Sequence, residues 1–319
     1  MTPSPSGRGL GVREFILLLT LAPTLAFAQQ QAGPQQLPQF SLSRFTLQDG
    51  GLAGMGAASG DTLPRYRFRA TLGLHYENNP LVYFRDQSRI GSLIAHRVQL
   101  HLGLGFGITS WLQVTGELPL VVAQTGDDLS QAANTLSPDT VGLGSARVAA
   151  RLGILSHGGS GLVKSMPFDL AFQLGIAIPA GVGNALNTES GFNLTPQLSA
   201  GRDVGPVRVG GEISAVIRES RALTQGTLRD TVGSALGIRL LVSSTGEGAR
   251  FEGSFHSTIA LEGESPPGFE LLGGVRVPLG PIELFALGGP GFGNLPGTPT
   301  VRLFAGIGLK PQVDKCEKG

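Results

Sequence analysis

The twelve residues from Arg97 to Ile108, RVQLHLGLGFGI, alternate strictly between apolar side chains and polar side chains or glycine. Because successive side chains of a β-strand point to opposite faces, this segment predicts a strand with one apolar and one polar face. Two environments favour such a strand. A soluble antiparallel sheet buries the apolar face in a core, whereas a transmembrane barrel exposes it to lipid. A transmembrane strand needs roughly 9–11 residues, so this segment is long enough to cross a bilayer.

The same period-two pattern occurs in eleven other segments, each with an apolar row opposite a row of charged, hydroxyl or glycine residues. Two segments are less regular, because the sixth contains Pro196 and the eleventh is apolar on both faces. The pattern predicts an all-β chain. The predicted strands are 65–77, 97–108, 112–122, 144–154, 168–179, 192–203, 207–218, 231–242, 250–261, 269–279, 282–288 and 301–309.

Short and long connections alternate between the predicted strands. The connections at 109–111, 204–206, 243–249 and 280–281 are short, whereas those at 78–96, 123–143, 180–191, 219–230, 262–268 and 289–300 are mostly long. An even strand number with this alternation is typical of outer-membrane barrels, whose short turns are periplasmic. We therefore predict a transmembrane, antiparallel up-and-down β-barrel of about twelve strands with both termini in the periplasm. Closure of the barrel would leave no unpaired strand edge in lipid.

A soluble sandwich or lipocalin-like barrel is the main alternative to a membrane barrel. Its polar faces would form a solvated surface, and such surfaces are usually rich in lysine and glutamate. In this chain 20 of the 24 basic residues are arginine, whose planar guanidinium suits carboxylate pairing in a confined space. The predicted strands also exceed the length of about 5–6 residues that is usual in soluble sheets. The formal net charge of +1 argues against a nucleic-acid partner, which would require a basic patch.

The first 28 residues predict a cleaved signal peptide and export to the bacterial outer membrane. Arg8 and Arg13 precede a short apolar run that ends in the small-residue cleavage pattern Ala26-Phe27-Ala28. Residues 29–64 are rich in glutamine, proline and glycine, which favours a periplasmic linker, with a partial plug in the barrel mouth as the alternative. The barrel is predicted to cover residues 65–310, and residues 311–319 to form a polar periplasmic tail.

Several stretches resemble the N-terminal β-barrel of OmpA-family outer-membrane proteins of Gram-negative bacteria. These stretches are LGLHYENNPLVYF (72–84), LIAHRVQLHLGLGFGITSWLQVTGELPLVVAQTGDD (93–128), GLGSARVAARLGIL (142–155) and TVRLFAGIGLK (300–310). The resemblance implies an outer-membrane barrel that contacts lipid and the barrel assembly machinery. The family usually continues into a peptidoglycan-binding domain, and no residue of this sequence matches that domain.

The polar faces of the predicted strands define the lumen, and the apolar faces define the surface in lipid. The residues predicted to line the lumen are Arg65, Arg67, Arg69, His75, Glu77, Arg97, Gln99, His101, Glu117, Arg147, Arg151, Arg208, Glu212, Arg239, Glu252, His256, Glu270, Arg276 and Arg302. Those predicted to face lipid are Leu100, Leu102, Leu104, Phe106, Phe172, Leu174, Ile176 and Phe255.

The excess of arginine in the predicted lumen favours a narrow pore for small, preferably anionic solutes. Since isolated buried charges are costly, the alternative is a non-conducting structural barrel whose lumen is filled by arginine–carboxylate pairs. A third hypothesis is a surface-binding barrel, because the predicted loops at 78–96 and 123–143 are unusually apolar. His75 and His101 could form a metal site or a general base with Glu77, but hydrogen-bonded lumen histidines are the favoured interpretation. We predict no enzyme activity, metal or cofactor, since no hydrolase or metalloprotease motif is present.

Overall fold

The computed structural model describes residues 33–48, 54–85, 88–157, 161–223, 231–263 and 265–310. The predicted signal peptide and the predicted tail at 311–319 lie outside these residues. Twelve strands form the wall of a barrel. We number them β1 (Phe68–Arg85), β2 (Ser88–Gly107), β3 (Leu112–Thr125), β4 (Ala146–Leu155), β5 (Asp169–Ile178), β6 (Asn193–Val204), β7 (Val207–Val216), β8 (Ala235–Ser244), β9 (Arg250–Ala260), β10 (Gly268–Leu279), β11 (Ile282–Phe292) and β12 (Val301–Leu309).

Each strand of the wall pairs antiparallel with its neighbours in sequence, and β12 closes the barrel on β1. At the closure, Leu72 of β1 lies opposite Leu102 of β2 on one side and opposite Ile307 of β12 on the other. The prediction of a twelve-stranded, up-and-down antiparallel barrel is therefore confirmed. Among the described residues, no helix has the length and apolar character needed to cross a membrane.

The outer surface of the barrel is a belt of exposed apolar side chains. Leu104 is 52% exposed and Leu174 is 42% exposed, although solvated proteins rarely display large contiguous apolar patches. Of the eight predicted lipid-facing residues, Leu100 is half-buried and the other seven are exposed on this outer face. The wall is thus apolar outside and polar inside, as a barrel in lipid requires.

The hairpin of β1 and β2 is much longer than its sequence pattern predicts. Residues 78–85 and 88–96 continue the two strands, so the expectation of a long loop at 78–96 is wrong. The register shifts between Asn78 and Leu81 and again between Tyr83 and Phe84. Bulges of this kind interrupt the alternation of side chains and bend the hairpin, which explains why the period-two pattern ended early.

The extended hairpin packs over one mouth of the barrel. Leu81, Tyr83 and Ile94 are buried in an apolar cluster with Phe40 from the N-terminal segment and Leu186 from a long loop. The apolar residues of this hairpin therefore have partners within the chain, which favours folding over the mouth rather than the surface-binding hypothesis.

The N-terminal segment, residues 33–48 and 54–64, threads through the lumen from the long-loop end to the short-turn end. Near its start, the amide of Gln35 donates to the carbonyl oxygen of Asn134 in a long loop. Further along, the amide of Met55 donates to the Glu252 carboxylate on the barrel wall, with N–O distances of 3.2 Å. At the opposite end, Pro64 lies against Gly107 at the end of β2, where a Cβ would approach the Pro64 carbonyl oxygen to 2.2 Å.

Residues 33–42 and the start of β1 consequently lie at opposite ends of the barrel. This path differs from the periplasmic linker that the sequence favoured and is nearer to the alternative of a partial plug. The strand pattern could not reveal the path, because residues 29–64 have no regular period that would assign them a face.

Candidate functional site

The centre of the lumen holds a dense ion-pair network around Arg302 of β12. Its Nη1 donates to Glu77 at 2.9 Å, and its Nε and Nη2 donate to the two oxygens of Glu270 at 2.5 and 3.0 Å. Arg302, Glu77 and Glu270 are all buried. Bidentate pairing offsets the desolvation of these charges, because a planar guanidinium matches both carboxylate oxygens at once.

A chain of hydrogen bonds runs from this network along the neighbouring strands β1, β2 and β3. Arg302 Nη1 lies 2.6 Å from His75 Nε2, His75 Nδ1 lies 3.3 Å from His101 Nε2, and His101 Nδ1 lies 2.8 Å from Glu117. Arginine can only donate, so His75 accepts at Nε2 and each histidine donates from Nδ1. The two histidines are therefore hydrogen-bonded within the lumen, as the sequence interpretation favoured.

An apolar core fills the same side of the lumen. Phe45 of the N-terminal segment lies 5.5 Å, between ring centroids, from Phe304 of β12 and packs with Phe285 and Leu287 of β11. This contact explains why β11 is apolar on both faces. One face lies on the outer surface and the other contacts the N-terminal segment, so both faces are out of water.

Other inward polar residues hold the N-terminal segment in place. Glu212 accepts from the amide of Ala58 at 2.8 Å, and Gln113 accepts from the amide of Leu63 at 2.7 Å. Arg208 donates from Nε to the Ser59 hydroxyl at 2.9 Å. The inward row of the wall thus supplies hydrogen-bond partners for a peptide that has no sheet partners of its own.

The structure places most of the predicted lumen residues inside the barrel, buried or half-buried. Arg65 is the correction, because it precedes β1 and is exposed, whereas Arg67 also precedes β1 but is half-buried. Arg65 is exposed and donates to the Tyr66 hydroxyl at 2.7 Å, and Tyr66 has a φ of 59° that interrupts the extended backbone. The predicted residues found inside are Arg69, His75, Glu77, Arg97, Gln99, His101, Glu117, Arg147, Arg151, Arg208, Glu212, Arg239, Glu252, His256, Glu270, Arg276 and Arg302.

Part of the wall from β3 to β9 does not contact the N-terminal segment. A cavity of about 110 Å³ separates residues 43–48 of the N-terminal segment from this wall, with room for several water molecules. Its wall is made of small side chains, because Thr115, Ala149, Gly175 and Thr195 lie opposite one another across four successive strands. Sequence alternation marks the inward charges but not this row of small residues, since only the strand register brings its members together.

The cavity is lined by more guanidinium groups than carboxylates. Arg239 pairs with Glu212 at 2.7 Å and Arg218 with Glu189 at 3.1 Å. Arg147, which also lines the cavity, lies 3.6 Å from Glu117.

Arg44 differs from these arginines. Its Nε donates to the Pro296 carbonyl oxygen at 2.7 Å, and it has no carboxylate within ion-pair distance in the part of the chain that the structure describes. Its position in the non-periodic segment gave no sequence signal.

Arg218 closes the cavity at the long-loop end. Its Nη1 donates to the Ser41 carbonyl oxygen at 2.8 Å, and its Nε donates to the Gly233 carbonyl oxygen at 3.0 Å. A shallow depression lined by Phe40, Glu189 and Arg218 lies beyond it. Burial lowers the pKa of Arg218, while the carboxylate of Glu189 opposes that shift. The Arg218–Glu189 pair therefore stands between the cavity and the outer depression.

No grouping of three or more histidine, cysteine or acidic side chains suited to a metal ion occurs among the described residues. The chemistry of the lumen is that of ion pairing and hydrogen bonding with polar groups.

Comparison with known proteins gives structural relatives only. No protein-family model matches the chain, and no curated protein matches its sequence. The COG4313 outer membrane channel from Pseudomonas putida F1 has a TM-score of 0.59 at 15% identity, over 78% of this chain and 97% of that chain. The translocator domain of autotransporter NalP from Neisseria meningitidis has a TM-score of 0.45 at 11% identity, over 79% and 90% of the two chains.

The similarity to the Pseudomonas putida channel shows the fold, which is a β-barrel of the outer-membrane class. The prediction of an outer-membrane barrel is supported at this level, whereas no match names an OmpA-family barrel, and membership of that family stays an expectation.

Proposed function

We propose that this protein is a channel of the bacterial outer membrane that admits small anionic solutes along one side of its lumen. The observation behind this proposal is the polar cavity along β3–β9, where a registered row of small side chains leaves space inside the barrel. The apolar belt outside supports a position in lipid, and the N-terminal signal predicted at 1–28 would direct export. The proposal assigns the chain no enzymatic activity.

The preference for anions follows from the charges along this route. Arg44, Arg147, Arg218 and Arg239 line the cavity, against Glu117 and Glu189. Rings or rows of basic side chains favour anions because the pore is narrow and its walls have a low dielectric constant. An anion on this route would meet guanidinium groups at several successive positions.

The N-terminal segment makes the route narrow. It occupies the centre of the lumen, and the Arg218–Glu189 pair closes the cavity toward the long loops. We therefore expect a small conductance that depends on movement of this segment or of Arg218, rather than a wide permanent pore.

A non-conducting structural barrel is the second candidate function. It is favoured by the packed side of the lumen, where Arg302, Phe45 and their partners leave no continuous space. The two candidates differ in whether ions cross the cavity side, so conductance separates them directly.

The test is single-channel recording of the refolded chain from residue 29 in planar bilayers. Small discrete steps are expected, with a reversal potential in a KCl gradient that reports a preference for chloride. A variant lacking residues 33–64 should conduct more, because it removes the segment from the lumen. Silent bilayers with wild-type protein that is shown by heat-modifiable mobility to be folded and inserted would contradict the channel and support the structural barrel.

A further inference from the structure

We infer that Arg44, Arg147 and Arg218, together with the hydroxyl of Ser43, form a binding site for a small carboxylate in the lumen. The inference deepens the proposed function and rests on it for the role of the bound solute. Two of the four groups come from the N-terminal segment, so that segment forms part of the site as well as narrowing the lumen.

The guanidinium groups of Arg147 and Arg218 both contact one short stretch of the N-terminal segment, to which Arg44 also belongs. Arg147 Nη2 lies 3.4 Å from the Ser41 hydroxyl, and Arg218 Nη1 donates to the Ser41 carbonyl oxygen at 2.8 Å. Arg44 lies three residues further along, and all three arginines line the same cavity. Three like charges at one cavity repel one another, so an anion between them would be stabilised by each.

The site has hydrogen-bonding capacity that the protein does not use. The hydroxyl of Ser43 is buried, lines the cavity and has no hydrogen-bond partner among the described residues. Among the residues that the structure describes, the Arg44 side chain makes one hydrogen bond, from Nε to the Pro296 carbonyl oxygen. A buried polar group without a partner costs free energy, and a bound acceptor would remove that cost.

The nearby carboxylates are engaged elsewhere. Glu117 accepts from His101 Nδ1 at 2.8 Å, and its distance to Arg147 is the longer 3.6 Å. Glu189 pairs with Arg218 but also accepts from the side-chain amide of Asn193 at 3.2 Å. Three guanidinium groups therefore face two acidic side chains that have other donors, which leaves the cavity positively charged.

A carboxylate fits these groups better than a neutral solute. A guanidinium presents parallel N–H donors that match the two oxygens of a carboxylate, and a serine hydroxyl can donate a further bond. The cavity is small, which restricts the ligand to a few carbon atoms. A neutral amide of the same shape would leave the positive charge uncompensated.

Calorimetric titration of succinate into the refolded full-length chain in detergent tests the inference. Succinamide is the matched neutral ligand. We expect succinate to bind and succinamide to bind at least tenfold more weakly. Absence of succinate binding to protein whose heat-modifiable mobility shows it to be folded would overturn the site.

Variants locate the binding within the lumen. Arg44→Gln should weaken succinate binding by about tenfold to a hundredfold, because hydrogen bonds to charged groups have effects of this size. Arg44→Lys should retain part of the affinity, since it keeps the charge and loses the planar fork. Arg202→Gln, at an exposed position near the short-turn end of β6, is the control and should bind as the wild type does. Equal binding by the Arg44→Gln and Arg202→Gln variants would contradict the assignment.

These experiments test the carboxylate site and the channel independently. Arg44-dependent binding with silent bilayers would contradict the channel while retaining the carboxylate site. Anion-selective conductance without succinate binding would retain the channel and overturn the site.

Discussion

The two sides of the lumen are built from the same alternating strands but differ in what their inward residues do. On β11 and β12 the large inward side chains Phe285, Arg302 and Phe304 pack against the N-terminal segment. On β3–β6 the corresponding row is made of Thr115, Ala149, Gly175 and Thr195, and a cavity remains. The difference teaches that alternation decides which residues face inward, whereas side-chain volume decides whether the lumen is filled.

The largest expected effect comes from removing a charge on the packed side. Arg302→Met would leave Glu77 and Glu270 buried without their main partner, at a cost of about 3–5 kcal/mol in the free energy of unfolding. Arg147→Met, on the cavity side, should cost about 1 kcal/mol or less, because Arg147 is half-buried and lies 3.6 Å from Glu117.

Urea titration of both variants in the same detergent measures this difference. Equal destabilisation by Arg302→Met and Arg147→Met would show that both sides of the lumen contribute equally to the free energy of unfolding. That result would contradict the difference between the packed side and the cavity side.

A somewhat smaller loss of stability is expected from a substitution that creates a cavity on the packed side of the lumen. Phe45→Ala removes a buried ring that contacts Phe304 and His75, and should lower the free energy of unfolding by about 3–4 kcal/mol. Arg44 and Thr46, the neighbours of Phe45 in sequence, line the existing cavity, so loss of the ring should loosen the segment and raise the single-channel conductance. A stable variant with unchanged conductance would mean that Phe45 neither supports the core nor narrows the route.

Filling the cavity side should change conduction more than stability. Gly175→Leu places a side chain in the row of small residues, where a Cβ has its nearest neighbours at 3.6 Å. We expect a change in the free energy of unfolding of about 1 kcal/mol or less and a lower conductance, because the new side chain occupies space that a solute would use.

The matched control is Gly273→Leu on β10, an exposed position where a Cβ would meet no atom within 4 Å. Its conductance should equal that of the wild type. A similar loss of conductance in both variants would place the route outside the cavity.

The smallest effect is expected at Arg65. Sequence alternation put this residue in the lumen, but it is exposed and precedes β1. Arg65→Ala should change the free energy of unfolding by less than about 0.5 kcal/mol and leave the ion preference unchanged. A marked shift in reversal potential would show that Arg65 lines the ion route, as the sequence alternation predicted.

The sequence anticipated the barrel well because lipid imposes a simple rule on every strand of the wall. An outward position must be apolar, whereas an inward position need not be. The outward direction of Leu102 and the inward direction of Arg302 therefore followed from the two-residue alternation alone. The rule failed where the backbone departs from a regular strand. Asn79 and Tyr66 both have positive φ values, and the prediction of strand ends was wrong near each of them.

The candidate site was only half predictable. Arg147 belongs to an alternating strand and was predicted to face the lumen. Arg44 and Ser43 lie in a segment without a period, so no local pattern could assign them a position. Their contacts are with residues more than 100 positions away, such as Pro296 at the far end of the chain.

By itself the sequence determined the all-β class, the twelve strands and the side of the wall on which each side chain lies, because these depend on neighbours within one strand. Only the tertiary structure decided how the lumen is occupied. The path of residues 33–64, the fold of the β1–β2 hairpin over the mouth and the row from Thr115 to Thr195 depend on strand register and on distant contacts. Contacts between distant residues cannot be inferred from alternation within one strand, and these contacts determine where space remains for a solute.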